Sequence, residues 1–201
     1  MKQIIMRIFA FIRKFIPEKF IQAVYQYKPL ALFIRRIMNL AVPEEPEIVT
    51  LTGGEVEGLI MELLLKTEKA HWLGGYELKL QQAFVKWMKA GMVAYDIGAN
   101  IGYMSVLLAR IAGAEGQVFA FEALPKNIAR LQKNIDLNMC ISPVKVVPNA
   151  VTDQPGEISF FVHASTSMGK AAGSAGREEE YLEEIIVPST SIDNFVFEQG
   201  K

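Results

Sequence analysis

The stretch Asp96-Ile97-Gly98-Ala99-Asn100-Ile101-Gly102 constrains this chain more than any other. An apolar run, Met92 to Tyr95, precedes it, and an apolar stretch with helical spacing, Tyr103 to Ile111, follows it. A strand that passes through a glycine-rich turn into a helix is the layout of a nucleotide-type ligand site in α/β folds. Gly98 and Gly102 permit a tight turn and close approach of the backbone to a ligand. The following helix aims its first N–H groups at the same crevice. Asp96, at the strand end, can accept hydrogen bonds from a positively charged or donor-rich group.

Glycine spacing narrows the ligand. Dinucleotide sites favour G-x-G-x-x-G, which sets backbone N–H groups on a pyrophosphate. Here the pattern is Gly98-x-x-x-Gly102 with an acid two residues before the first glycine. That acid would repel a pyrophosphate but suits the amino group of an amino-acid moiety. The ligand that joins an amino acid, a ribose and an adenine is S-adenosylmethionine. Residues Tyr95 to Tyr103 accordingly resemble the class I methyltransferases, and the FkbM family in particular. The resemblance implies an α/β fold, a Rossmann-like doubly wound sheet, with S-adenosylmethionine as cofactor. A nucleotide-sugar or NAD-binding Rossmann domain is disfavoured by the acid and the glycine spacing.

The next strand carries the resemblance further. Gln117 to Glu122 is apolar and ends in an acid 26 positions after Asp96. A carboxylate there can accept bonds from both ribose hydroxyls. FkbM-like proteins typically read Phe-Glu-Pro and then Pro-x-Asn; this chain reads Phe121-Glu122-Ala123-Leu124-Pro125-Lys126-Asn127, with Ala123 replacing a proline. Pro125 suits the first turn of a helix, on which Ile128, Leu131 and Ile135 mark one face. Asn134 and Asn138 match the family's asparagines near the end of that helix.

Upstream, Trp72-Leu73-Gly74-Gly75-Tyr76-Glu77 resembles the family's segment before the first core helix, which here carries Leu80, Phe84, Trp87 and Met88 on one face and stops at Gly91. Downstream, Val144 to Val147 reads as a third strand, and Asn149-Ala150-Val151-Thr152-Asp153 is similar to the family's Asn-Ala-Val-x-Asp on the adenine side. The resemblance covers roughly residues 48–195. It implies cofactor contacts from Tyr76, Glu77, Asp96, Gly98, Ala99, Asn100, Gly102, Tyr103, Glu122, Ala123, Asn149 and Ala150.

The implied chemistry is attack of a nucleophile, a hydroxyl oxygen, on the sulfonium methyl. The protein aligns the reacting atoms and removes the hydroxyl proton. The acceptor class is a sugar, a glycan, or a lipid-linked or natural-product hydroxyl. No general base is assigned. His163 beside a Gly/Ser loop and His71 in the prelude are candidates, each more simply read as incidental. No His/Cys cluster has metal-ligand spacing and no metal ligand is assigned, which leaves a carboxylate-bound Mg2+ open. The single cysteine, Cys140, cannot form an internal disulfide, which fits a reducing compartment, and reads as a small buried apolar side chain.

Charge is uneven. Residues 1–42 hold eight Lys/Arg and one acid, a net charge of +7, while the remainder carries −8. Ile4, Ile5, Ile8, Phe9, Phe11, Ile12, Phe15 and Ile16 crowd the first helix candidate of this arm, which Pro17 ends; further candidates run from Glu18 to Tyr27 and from Pro29 to Leu40. Three readings compete: helices covering the domain or a dimer partner, helices lying in an anionic membrane interface, or a cleaved signal peptide. The expected location is cytoplasmic, with peripheral contact at the inner face of the membrane. The acidic body argues against nucleic acid as a partner. No run of 18 apolar residues exists for a spanning helix.

The domain reading is a basic arm over 1–42, a linker and hairpin prelude over 43–75 with Gly53-Gly54 as the turn, and a cofactor-binding domain over 76–201. Residues 163–177 read as a Ser/Ala/Gly-rich excursion, either a lid over substrate or a surface loop. Glu184 to Ser191 reads as a strand, and Ser191-Ile192-Asp193-Asn194 resembles the family's Thr/Ser-x-Asp segment. The family then continues with a strand bearing Lys-x-Asp-x-Glu-Gly-x-Glu, whereas this sequence stops at Lys201. The expectation is about five strands after residue 90 where the family has about seven, the C-terminal strands missing and apolar surface exposed. The alternative reading is therefore a truncated, non-catalytic cofactor-binding or membrane-associated module.

Overall fold

The structure is a computed structural model that describes residues 27, 29, 32, 42–138, 143–162, 170–173 and 181–199. The helices read in the basic arm, Cys140 and His163 lie outside the described residues. Two compact units divide between Trp87 and Met88.

In the first unit, strand β1 (Glu47–Thr50) pairs antiparallel with β2 (Ile60–Leu63), Glu47 opposite Leu63 and Thr50 opposite Ile60. Their connection is wider than a two-residue turn: Gly53 leads into a 3-10 turn, Gly54–Val56. Alternation along β2 buries Met61 and Leu63, which join Leu51, Val56, Leu59 and Leu65 inside the unit. Two helices follow, α1 (Lys69–Trp72) and α2 (Leu78–Trp87).

The buried side chain of α2 is Gln81 rather than a member of the Leu80, Phe84, Trp87 and Met88 face. Its amide accepts from Glu55 N–H at 2.9 Å and donates to the carbonyls of Gly74 at 3.1 Å and Tyr76 at 2.6 Å. Gly54 (φ +64) lies so close to Gly74 that a Cβ there would sit 2.3 Å from the Gly74 carbonyl oxygen. Periodicity finds apolar faces; it misses an amide that is buried because it fastens two loops.

The second unit is built on three parallel strands, β3 (Val93–Ile97), β4 (Gln117–Phe121) and β5 (Val144–Val147), in that spatial order. Parallel neighbours need crossovers. Helix α3 (Tyr103–Ala112) links β3 to β4, and α4 (Pro125–Asp136), with proline in its first turn, leads from β4 towards β5. Four shorter or longer strands form a mixed sheet in the order β6-β9-β7-β8: β6 (Ala150–Val151), β7 (Gly156–Val162), β8 (Lys170–Ala171) and β9 (Glu183–Thr190). Helix α5 (Ile192–Gln199) follows. The expected five strands after residue 90 become seven among the described residues, because β6 and β8 are two-residue pairings too short to leave a pattern in sequence.

Both faces of the parallel sheet are covered. On one face Ala120 of β4 packs with Ala99 and Leu131, flanked by Ile135, Val144 and Val146. On the other, Phe119, Phe121 and Val147 enclose Phe195 of α5, with Tyr95 alongside. The Phe195 ring stands edge-on to Phe119 and Phe121, at 5.1 and 4.9 Å between centroids. Helices on both faces of a parallel sheet make this a doubly wound, Rossmann-like α/β unit. Central β4 is accordingly buried almost throughout, as a strand covered on both faces must be. Among the described residues β3 has a neighbour on one side only, and Met92, Val93 and Ile97 are exposed. No helix among them is long and apolar enough to cross a membrane.

Candidate functional site

In the parallel sheet Ile97, Phe121 and Val147 stand side by side in register. The segments that leave these three strand ends therefore share one rim: Gly98 to Gly102 from β3, Glu122 to Leu124 from β4, and Pro148 to Asn149 from β5. Doubly wound sheets bind ligands outside the carboxyl ends of their strands. Ten of the twelve residues singled out in sequence lie along this rim or at the start of the element that follows it, namely Asp96, Gly98, Ala99, Asn100, Gly102, Tyr103, Glu122, Ala123, Asn149 and Ala150.

The turn after β3 is held by backbone. Gly98 and Ala99 N–H both donate to the Phe121 carbonyl, at 3.0 and 2.8 Å, and Gly102 N–H closes onto the Ala99 carbonyl at 2.8 Å. Gly98, Asn100 and Gly102 take positive φ values of 79°, 50° and 87°. Gly102 is the tightest point: a Cβ there would lie 2.6 Å from Leu131 Cδ1, in the buried layer between turn and α4. No side chain caps α3 at Gly102. Asn134 of α4 donates to the Ile101 carbonyl at 2.8 Å and so supports the turn from beneath, while Asn138 donates to the Asn134 carbonyl.

Glu122 is buried and ties three segments together. Its Oε2 accepts from Asn100 N–H at 2.8 Å, and its Oε1 accepts from Leu124 N–H at 2.9 Å and Asn127 Nδ2 at 3.4 Å. The residue's own N–H donates to the Val147 carbonyl at 3.1 Å. Asn100 thus holds a left-handed conformation, uncommon outside glycine, because a carboxylate captures its N–H. The Asn100 Oδ1 atom is buried and has no hydrogen-bond partner among the described residues, an arrangement that suits a ligand bearing donors. Ala123 and Ala150 pack together with Val187 on the β5 side of the rim, and Asn149 N–H donates to the Val147 carbonyl at 2.8 Å.

Asp96 is half-buried at the end of β3. Its Oδ2 accepts from the Ser105 hydroxyl at 2.6 Å. Ser105 is the polar residue at this rim that the sequence reading passed over, and Asn127, matched there to the family's Pro-x-Asn without a cofactor contact, is the one whose partner the structure supplies. The signal for Ser105 was a lone hydroxyl within the apolar run Tyr103 to Ala109.

The methyltransferase FkbM domain matches residues 96–201, just over half of the chain. The chain belongs to the FkbM methyltransferase family. The match opens on Asp96, so the FkbM domain takes in the whole rim from Gly98 onwards. No curated protein matches. Among solved structures, similarity extends to a proposed rRNA methylase from Clostridium thermocellum (26% identity, 36% of this chain and 40% of that one, TM-score 0.34). It also extends to a proposed transferase from Pyrococcus horikoshii (17% identity, 63% and 49%, TM-score 0.41). A third is P. horikoshii TYW2 in complex with MeSAdo (18% identity, 78% and 67%, TM-score 0.43). The chain spans less than half the length of the first two.

Tyr76 and Glu77 belong to the first unit, where they precede α2. Glu77 has φ 47°, and its carbonyl accepts from Leu80 and Gln81 N–H in the first turn of that helix. The Tyr76 ring stacks on His71 at 3.9 Å, and burial, then the neighbouring Glu77 carboxylate, pushes its hydroxyl above the ordinary tyrosine range. His71 is thus engaged in the prelude's packing. No cluster of three metal-ligating side chains occurs among the described residues.

Proposed function

We propose that the rim formed by Asp96, the turn from Gly98 to Gly102, and Glu122 holds S-adenosylmethionine, and that the protein methylates a hydroxyl on a sugar, a glycan, or a lipid-linked or natural-product acceptor. The observation that carries this reading is the pair of carboxylates at the ends of adjacent parallel strands, joined through the turn by the Asn100–Glu122 bond. Asp96 supplies an acceptor for the ammonium of the amino-acid portion. Glu122 supplies one for the ribose. A carboxylate offers about four acceptor sites, and three are already used here, so one ribose hydroxyl is accommodated beside the internal bonds. The Asn127 bond, at 3.4 Å, is the longest and yields first to a second hydroxyl. Asn100 Oδ1 offers a further buried acceptor.

When bound, this cofactor supplies a sulfonium-activated methyl group for an acceptor oxygen. The chain's part is to orient it, through Asp96 and Glu122, on a turn that neighbouring strands hold rigid. FkbM membership supports the methyl-transfer reading, and the hydroxyl acceptor is the finer part of the proposal. Residues 1–42, with net charge +7, are proposed to bring the enzyme to an anionic membrane surface at the cytoplasmic side. Co-sedimentation with anionic and neutral vesicles tests this, and equal binding to both sinks it.

The central test is titration calorimetry of S-adenosylmethionine and S-adenosylhomocysteine against the chain, with NAD as control. Saturable binding of the first two, sharply weakened in Asp96→Ala and weakened in Glu122→Ala, is expected. Unchanged binding in both variants would show that the cofactor sits elsewhere.

A further inference from the structure

Ser105 is fully buried in the first turn of α3, among Tyr103, Met104, Val106 and Leu107, which are buried too. A buried hydroxyl needs an acceptor. In a helix the nearest is usually the carbonyl four residues back. Here that carbonyl, of Ile101, receives the Asn134 amide instead, and the Ser105 hydroxyl donates across to Asp96 Oδ2 at 2.6 Å. That length lies at the short end of the hydroxyl–oxygen range, as a well-aligned bond to a carboxylate has.

The bond can form because the turn is short and fixed. Gly98 and Ala99 are tied to the Phe121 carbonyl, and Gly102 reverses the chain so that the third residue of α3 comes back beside the end of β3. A carboxylate with an oxygen captured from the helix side is restricted in the plane it can take.

We propose that Ser105 is a positioning residue for cofactor recognition: by fixing the Asp96 carboxylate, it sets affinity for the amino-acid portion of the cofactor and leaves recognition of the nucleoside portion to Glu122. The inference rests on the proposed role of Asp96.

The test compares two ligands in the full chain, S-adenosylhomocysteine, which carries the amino-acid portion, and 5′-methylthioadenosine, which lacks it. Ser105→Ala should weaken the first on the order of tenfold, the scale of a lost hydrogen bond to a charged group, and change the second by under about twofold. In an Asp96→Ala background Ser105→Ala should add no further loss of S-adenosylhomocysteine affinity. Equal loss for both ligands, no loss for either, or the same loss in the Asp96→Ala background overturns the proposal while leaving the cofactor reading intact. A parent chain that binds neither ligand, or both alike, overturns the reading of Asp96 and this proposal with it. If Ser105→Ala does not fold, Ser105→Cys carries the same comparison, since a thiol preserves volume but donates weakly.

Discussion

Replacing Glu122 by glutamine separates hydrogen bonding from shape. The two side chains have nearly the same volume, so Glu122→Gln opens no cavity. Every donor around this carboxylate is an N–H: Asn100 on Oε2, Leu124 and Asn127 on Oε1. An amide has one oxygen. If that oxygen takes the side of Leu124 and Asn127, the new NH2 faces the Asn100 N–H. If it is turned round, the NH2 faces two donors. The less costly arrangement loses one charge-assisted bond, about 1.5–3 kcal/mol, and leaves the Asn100 N–H opposed by another donor. With the remaining bonds weakened by loss of the charge, a destabilisation of about 3 kcal/mol is expected. The turn suffers most, because Asn100 at φ 50° loses the acceptor that holds it there. Urea unfolding of parent and variant reads the first effect as a lower midpoint at unchanged slope. Calorimetry reads the second as weaker S-adenosylhomocysteine binding, on the order of tenfold or more. An unfolding free energy within about 0.5 kcal/mol of the parent would refute the argument that Glu122 organises the turn, since a surface-like tolerance would then be all that is seen. Lost affinity at full stability would assign Glu122 to the ligand alone.

Two further outcomes concern the first unit. Gln81→Leu keeps the bulk of the side chain but strands the carbonyls of Gly74 and Tyr76 and the N–H of Glu55, so a loss of about 2–4 kcal/mol is expected in urea unfolding, and a neutral result would show that these groups find other partners. Tyr76 has its hydroxyl pKa raised above 10.0 by burial and then by Glu77, so the folded state holds its proton more tightly than the unfolded chain does. Stability from this group is intact below pH 10.0 and falls as pH rises through the folded pKa; Tyr76→Phe should flatten that alkaline decline, and an unchanged decline would place its origin in other groups.

The parallel layer was legible in sequence because its signals are local. Strand β5 occupies the residues expected of it, Val144–Val147, and α4 begins at Pro125 because proline's missing N–H costs nothing in a first turn. Asp96, Gly98, Gly102 and Glu122 could be singled out from spacing alone, since a turn that needs positive φ and a strand that ends in an acid both leave their mark in consecutive residues. The family match, over residues 96–201, takes in all four. What the sequence could not decide is how these groups are partnered. The bonds of Ser105 to Asp96, Asn100 to Glu122 and Gln81 to Gly74 join residues 9, 22 and 7 positions apart, through orientations that arise only once the chain is folded. The two-residue strands β6 and β8 are likewise created by their neighbours rather than by their own pattern. Local sequence determined which chemistry this rim offers; tertiary contacts decided which oxygen of each carboxylate is already taken, because a hydrogen bond depends on positions in space that no periodicity encodes.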